Sequence, residues 1–124
     1  MADELVLIIE DNPKNLKLAR DVLEFHGFRT LTADNATDGI LLAELHLPAV
    51  ILMDIQLPDM DGVSALGHLR QLPEAATIPV VALTAFAMDA DRERFLSAGF
   101  DGYLVKPIDI RRFADQIGEY CGRT

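Results

Sequence analysis

Polar side chains that could carry out chemistry together stand directly after four apolar runs of the chain. They are Glu10-Asp11, Asp54, Thr84 and Lys106. The carboxyl ends of parallel strands meet along one edge of a sheet, where ligands of open α/β sheets bind. Taken singly, Asp54 could merely begin a turn and Lys106 could be a solvated strand-end residue. Convergence at four strand ends favours a shared site.

The chemistry that best fits this set is phosphoryl transfer assisted by Mg²⁺. Three carboxylates held together repel one another and raise one another's pKa values unless a cation lies among them. Mg²⁺ is usually bound by one or two carboxylates and keeps its other positions for water and phosphate oxygens. Lys106 adds a positive charge and Thr84 a hydroxyl donor. A metal site alone does not require these two groups, but a transferred phosphoryl group does.

Buried strands are required to place these side chains. The runs Leu5–Ile9, Ala49–Asp54 and Pro79–Leu83 are almost wholly apolar, which is typical of strands covered on both faces in a parallel sheet. Residues 102–105 predict a short fifth strand. Residues 28–33 alternate between apolar and polar types, which predicts a less buried strand at the edge of the sheet.

The segments between the predicted strands show helical periodicity. Apolar residues at helical spacing predict helices at about 14–26, 36–47, 63–71, 89–98 and 110–120. The fourth of these carries chiefly Phe95 and Leu96 as apolar residues, so we expect it to be weakly buried. Strict alternation of strand and helix implies right-handed crossovers and a parallel sheet with helices on both faces. We therefore predict a doubly wound α/β domain.

Composition restricts the class of protein further. The 124 residues suffice for one domain, and 50% hydrophobic and 25% charged residues are ordinary for a globular protein. No apolar run approaches the ~18 residues of a membrane span. The acidic start, residues 1–4, lacks the basic region of a secretory signal, so we expect a soluble, cytoplasmic protein. A net charge of −9 disfavours direct binding of DNA.

Over nearly its whole length the sequence resembles a response regulator receiver domain. The resemblance rests on Glu10-Asp11, on Asp54 within the motif Met53–Gly62, on Thr84 within Leu83–Met88, and on Lys106-Pro107. It implies a flavodoxin-like receiver fold with strand order 2-1-3-4-5, in a single domain over residues 1–124 with no effector domain. Among receivers, the sequence is most similar to a stand-alone cell-division regulator and to the receivers of hybrid kinases.

The resemblance implies a phosphoacceptor and a metal site. Asp54 would be the nucleophile that takes the phosphoryl group. Asp11, Asp54 and the backbone carbonyl of Gln56 would bind Mg²⁺, with Glu10 acting through water. Glu10 departs from the aspartate that is commoner at its position in the family, although both residues occur there.

The resemblance also implies the groups that respond to the phosphoryl group. Lys106 would pair with the phosphoryl oxygens, to which the Thr84 hydroxyl and the Ala85 backbone N–H would donate. Tyr103 would be the switch aromatic, turning inward when Thr84 moves toward the phosphoryl group. The Lys106-Pro107 peptide bond would be cis, which proline permits at a cost of only ~1 kcal/mol.

The function implied is that of a single-domain response regulator in a two-component system or phosphorelay. It would assist its own phosphorylation and dephosphorylation without being an enzyme. Its partners would be a histidine kinase or histidine phosphotransfer protein, and a target protein bound at helix four, strand five and helix five, with no DNA and no membrane. One alternative is a receiver fragment of a hybrid kinase. Another is a Mg²⁺-dependent phosphatase with an aspartyl-phosphate intermediate, which would usually have a second carboxylate where this chain has Gln56.

Overall fold

The computed structural model describes residues 4–85 and 88–122, which form one parallel sheet with helices on both faces. The strands are β1 (Leu5–Ile9), β2 (Arg29–Ala33), β3 (Val50–Asp54), β4 (Val80–Thr84) and β5 (Gly102–Val105). The helices are α1 (Pro13–Phe25), α2 (Ala36–His46), α3 (Gly62–Gln71), α4 (Asp89–Ala98) and α5 (Phe113–Tyr120). The strand order is β2-β1-β3-β4-β5, which confirms the predicted doubly wound fold.

Successive residues of the inner strands face two different apolar layers. In β3, Val50 and Leu52 pack with α1 and α5, whereas Ile51 and Met53 pack with α2, α3 and α4. All five residues of β3 and all five of β4 are buried. Burial on both faces is the reason that these strands are continuous apolar runs. The edge strand β2 is mostly half-buried, as its alternating sequence predicted.

The helices that follow β1 and β3 begin at side-chain caps. Asn12 accepts hydrogen bonds from two N–H groups in the first turn of α1, and Pro13 is the first helical residue. Asp61 likewise accepts a hydrogen bond from the N–H of Ser64 at the start of α3. The connection from β1 to α1 is short, so Glu10 and Asp11 stay close to the end of β1, whereas residues 55–61 form a longer loop after β3.

Three apolar residues at the ends of the predicted helices 36–47, 63–71 and 110–120 are exposed. Leu47, Val63 and Ile110 expose 44%, 42% and 57% of their surfaces. Leu47 and Ile110 lie just outside their helices, and Val63 lies in the first turn of α3. The predicted helix at 110–120 is therefore wrong in its first turn. It begins at Phe113 because Asp109 first closes a turn, in which its carboxylate and its carbonyl both accept N–H hydrogen bonds.

Helix α4 has little contact with the core, as its charged sequence predicted. Phe95 is its one buried residue, and the Phe95 ring packs against the rings of Phe100 and Tyr103 at centroid distances of 6.2 and 6.4 Å. Met88, the N-cap residue of α4, makes no side-chain capping hydrogen bond with the described part of the chain. Weakly packed elements of this kind open at low free-energy cost.

Among helices built from the described residues, none combines the length and apolar character that crossing a membrane requires.

Candidate functional site

The predicted site residues meet at the carboxyl edge of the sheet. Glu10 follows β1, Asp54 ends β3, Thr84 ends β4 and Lys106 follows β5, and these four strands are neighbours in the sheet. Glu10, Asp54 and Thr84 are almost fully buried, with exposed fractions of 1%, 4% and 2%. Lys106 is half-buried and Asp11 is exposed. The edge therefore carries buried acidic groups next to an acidic group that solvent can reach.

Lys106 lies between two carboxylates. Its Nζ is 2.9 Å from Asp54 Oδ2 and 2.9 Å from Glu10 Oε1. Burial alone would lower the pKa of Lys106, but the Asp54 and Glu10 carboxylates, which accept hydrogen bonds from the ammonium group and attract its charge, outweigh burial and raise it. The sequence predicted that these strand ends converge, but it did not predict contact between Lys106 and Glu10. The lysine balances part of the negative charge of these carboxylates. The Lys106–Pro107 peptide bond is cis.

Glu10 is a buried acid with a strongly shifted pKa. The pKa of Glu10 is raised from 4.5 to about 7, chiefly by burial and further by a hydrogen bond with Asp54 and by the negative charge of Asp54. Lys106 and the N–H of Asn12, which lies 3.2 Å from Glu10 Oε2, act in the opposite direction. Oε1 lies near Lys106 Nζ, yet among the described residues it has no hydrogen bond of good geometry. Glu10 thus retains an oxygen that can accept a further donor.

We expect the free energy of unfolding, measured without divalent metal, to fall as the pH rises from about 4.5 to about 7. Below pH 4.5 Glu10 is protonated in both states, and above about 7 it is ionised in both. Between these values the folded state binds more protons than the unfolded state, so stability declines with pH. A shift from 4.5 to about 7 corresponds to roughly 3 kcal/mol.

The matched variant for this test is Glu10→Gln, which has no proton to lose. Denaturant unfolding in EDTA at several pH values gives the stability profile of both proteins. We expect a flatter profile for Glu10→Gln. Equal slopes in the two proteins would assign the pH dependence to other groups.

The loop after β3 folds back onto Asp54. The N–H of Gln56 donates to Asp54 Oδ1 at 2.9 Å, and the N–H of Gly62 donates to the carbonyl of Ile55 at 2.7 Å. A Cβ atom on Gly62 would lie 2.9 Å from the Ile55 Cα, so the loop closes too tightly at its base for a side chain there. One oxygen of Asp54 is therefore oriented by the loop backbone, and the other faces the lysine.

Thr84 and Tyr103 lie on adjacent strands between the site and α4. Thr84 is buried at the end of β4, and Tyr103 is half-buried on β5. The Tyr103 ring packs against Phe95, the buried residue of α4. Ala85 is exposed at the start of the following loop. The Phe86-Ala87 part of the predicted motif lies outside the described residues.

The carboxylates are placed so that they could hold a metal ion. One oxygen each from Glu10, Asp11 and Asp54 lies within 4.8 Å of the others. Such a set of hard oxygen ligands suits Mg²⁺ or Ca²⁺, and Mg²⁺ usually retains several waters. Because Asp11 is exposed, water and an incoming phosphate group can reach this side of the cluster. The donor set therefore fits Mg²⁺.

Asp59 makes contacts near the site that sequence reasoning missed. Its Oδ1 accepts the N–H of Ala36 at 2.8 Å, and its Oδ2 accepts the N–H and the hydroxyl of Thr37 at 2.8 and 2.6 Å. These bonds, the Thr37 hydroxyl first among them, lower the pKa of Asp59 to about 2. The partners lie 22 and 23 residues earlier in the chain. No local sequence pattern predicts such a contact, although a negative charge near the amino terminus of a helix is stabilising.

Comparisons with known protein sequences agree with this geometry. The profile of the response regulator receiver domain family matches residues 6–118. The polar-differentiation response regulator DivK of Brucella anthropi is 44% identical over 117 residues, which cover 94% of this chain and 95% of that protein. DivK of Brucella ovis is 43% identical over the same length. The similarity predicted from the motifs is confirmed.

Solved structures share the fold. The receiver domain of the sensor histidine kinase PA1611 from Pseudomonas aeruginosa PAO1 has a TM-score of 0.88 at 33% identity, covering 98% of this chain and 99% of that one. That structure has a magnesium ion coordinated in its active site cleft. The signal receiver domain of a histidine kinase from Syntrophus aciditrophicus has a TM-score of 0.85 at 28% identity, covering 96% and 90% of the two chains.

Proposed function

The chain belongs to the response regulator receiver domain family, and we propose that Asp54 is its phosphoacceptor. The donor would be a phosphohistidine on a histidine kinase or a histidine phosphotransfer protein. The observation that carries the proposal is the environment of Asp54, whose Oδ1 accepts the Gln56 N–H while its Oδ2 lies 2.9 Å from Lys106 Nζ. A carboxylate held between donors is oriented for nucleophilic attack.

The transfer step uses groups that the site already holds. A bond forms between a carboxylate oxygen of Asp54 and phosphorus, while the phosphorus–nitrogen bond to the donor histidine breaks. Lys106, which faces Asp54 Oδ2 at 2.9 Å, would remain close enough to pair with a phosphoryl oxygen on Asp54. The Thr84 hydroxyl and the Ala85 N–H would donate to the other oxygens. Fixed donors of this kind stabilise the charge of a transferred phosphoryl group.

Mg²⁺ is the cofactor that we propose for this step. Asp11, Asp54 and the backbone carbonyl of Gln56 would bind it, with Glu10 acting through water. When bound, the ion offsets the repulsion between an anionic nucleophile and an anionic phosphoryl group. Three carboxylates and one lysine leave two net negative charges when all are ionised, which one Mg²⁺ ion balances. The magnesium in the related PA1611 receiver supports the choice of ion.

Acetyl phosphate tests the proposed chemistry without a partner protein. We expect the chain with Mg²⁺ to gain the mass of one phosphoryl group, and peptide mapping to place it on Asp54. Omitting Mg²⁺ and adding EDTA should suppress the reaction. Labelling of another residue, or labelling that is equally fast in EDTA, would contradict the proposal. Autodephosphorylation is then measured as the decay of the same adduct after the donor is removed.

We expect Mg²⁺ to raise the thermal midpoint of unfolding, because it relieves repulsion in the cluster and binds only the folded chain. A ligand present at about 100 times its dissociation constant adds about 2.7 kcal/mol. Asp11→Asn should shrink this increment and leave the metal-free protein as stable as before or more so, since Asp11 is exposed and adds negative charge to the cluster. Differential scanning calorimetry with Mg²⁺ and with EDTA measures both effects. An undiminished increment in Asp11→Asn would place the metal elsewhere.

The output that we propose is a change in the protein-binding surface formed by α4, β5 and α5. Its support is the arrangement described above: Thr84 ends β4, Tyr103 lies on the neighbouring strand, and the Tyr103 ring packs on Phe95, the one buried residue of α4. Because α4 is weakly held, a small change at Tyr103 can shift its position. A target protein that binds this face would then distinguish the phosphorylated state from the unphosphorylated one.

A further inference from the structure

The loop between β3 and α3, residues 55–61, is held to the rest of the protein at both its base and its tip. At the base, the N–H of Gln56 donates to Asp54 Oδ1, and Gln56 and Asp61 form an isolated antiparallel bridge. At the tip, Asp59 accepts three hydrogen bonds from the first turn of α2. Helix α2 packs against β1 and β2, near the β2 edge of the sheet. The tip of the loop is therefore fixed to an element that carries none of the proposed site residues.

The bonds to Asp59 use donors that α2 would otherwise leave without helical partners. The first N–H groups of a helix have no acceptor within the helix. The cap residue Asn35 accepts the N–H of Asp38, and Asp59 accepts those of Ala36 and Thr37. The carboxylate also faces the positive end of the helix dipole, where a negative charge is favoured. Asp59 is therefore held at a defined place by three donors at once.

The backbone between Asp59 and Gln56 has little conformational freedom. Leu57 is 9% exposed and packs into the core, and Pro58 has a restricted φ angle. The segment from Gln56 to Asp59 is thus held by a backbone hydrogen bond, a buried side chain, a proline ring and the Asp59 carboxylate. Movement of Asp59 away from α2 would remove one of these restraints on the backbone that carries the Gln56 N–H and carbonyl.

We propose that Asp59 is a positioning residue for the metal site, which holds the Gln56 backbone in place by tying the tip of the β3–α3 loop to α2. The inference rests on the proposed function, in which the Gln56 carbonyl is a ligand of Mg²⁺ and Asp54 accepts the phosphoryl group. Asp59 is not one of the proposed metal ligands, because its carboxylate binds the first turn of α2 instead. It acts by removing alternative loop conformations before the ion binds, so its loss should weaken binding of the ion.

Asp59→Asn tests this role with a side chain of nearly the same shape. An amide presents one acceptor oxygen and one NH₂ donor, and in either orientation the NH₂ group would face a backbone N–H, that of Ala36 or that of Thr37. We expect the dissociation constant for Mg²⁺, measured by calorimetry, to rise about fivefold, less than the about 10–100-fold typical when a direct partner of a metal ligand is removed. Phosphorylation by acetyl phosphate should slow at low Mg²⁺ and recover at saturating Mg²⁺. Hydrogen exchange of the Gln56 amide in EDTA should be faster.

Asn35→Ala is the matched control, because it removes a cap from the same turn of α2 without touching the loop. It should lower the thermal midpoint and leave both the Mg²⁺ affinity and the Gln56 exchange rate unchanged. Unchanged Mg²⁺ affinity in Asp59→Asn, or equal weakening in Asn35→Ala, would overturn the positioning role while leaving the proposed function intact. Failure of the unmutated chain to bind Mg²⁺ would overturn the proposed metal site and this inference with it.

Discussion

Asp54→Asn is expected to reduce phosphorylation by acetyl phosphate to background. The substitution replaces the proposed nucleophilic carboxylate with an amide of almost the same size. The remaining acceptor oxygen can still take the hydrogen bond that Gln56 now donates to Asp54 Oδ1, so the loop should stay closed. Mass spectrometry of the intact protein after reaction with Mg²⁺ and acetyl phosphate measures the result.

The fold of Asp54→Asn should survive, because Lys106 retains its second partner. Lys106 Nζ lies 2.9 Å from Glu10 Oε1 as well as from Asp54. Removing the Asp54 charge also removes one cause of the raised pKa of Glu10. We therefore expect metal-free stability to be equal to or above that of the unmutated chain at neutral pH, measured by denaturant unfolding.

A control is needed for the loss of one negative charge at this edge of the sheet. Asp34 is exposed just beyond β2 and belongs to none of the contacts of the site, so Asp34→Asn should be phosphorylated normally. Phosphorylation of Asp54→Asn with a yield and stability similar to those of the unmutated chain would show that the nucleophile is another residue.

The fold was predictable because its signals are local. Burial on both faces made β3 and β4 continuous apolar runs, and the alternation of β2 marked it as an edge strand. In a parallel sheet the carboxyl ends of neighbouring strands lie along the same edge. No further information is therefore needed to predict that the residues at these ends lie close together. For that reason Glu10, Asp54 and Lys106 could be brought together from sequence before any distance was known.

The charge arrangement inside the site was not predictable in the same way. Whether Lys106 pairs with Asp54, with Glu10 or with both depends on side-chain rotamers at the ends of three strands, and sequence spacing carries no information about these. The same holds for Asp59, whose three donors come from a helix that starts more than twenty residues earlier. Periodicity failed at Ile110 because it ignores the turn that Asp109 closes before α5.

Thr84→Ala is expected to separate phosphorylation from signal output. Asp54, the proposed metal ligands and Lys106 are unchanged in this variant, so it should retain much of its phosphorylation. Its binding of a target protein, however, should lose most of the gain that activation confers. The reason is that Thr84 is the group proposed to move toward the phosphoryl group, and the space that it leaves is what would admit the Tyr103 ring.

The measurement is the affinity of a target for each protein with and without beryllofluoride, which mimics the phosphoryl group on Asp54. Thr77→Ala is the matched control, since Thr77 is exposed in the turn before β4 and its loss should leave the gain intact. Because Thr84 is 2% exposed, thermal unfolding should first confirm that Thr84→Ala is folded. An equal gain in affinity in Thr84→Ala and the unmutated chain would rule out the path from Thr84 through Tyr103 and Phe95 to α4.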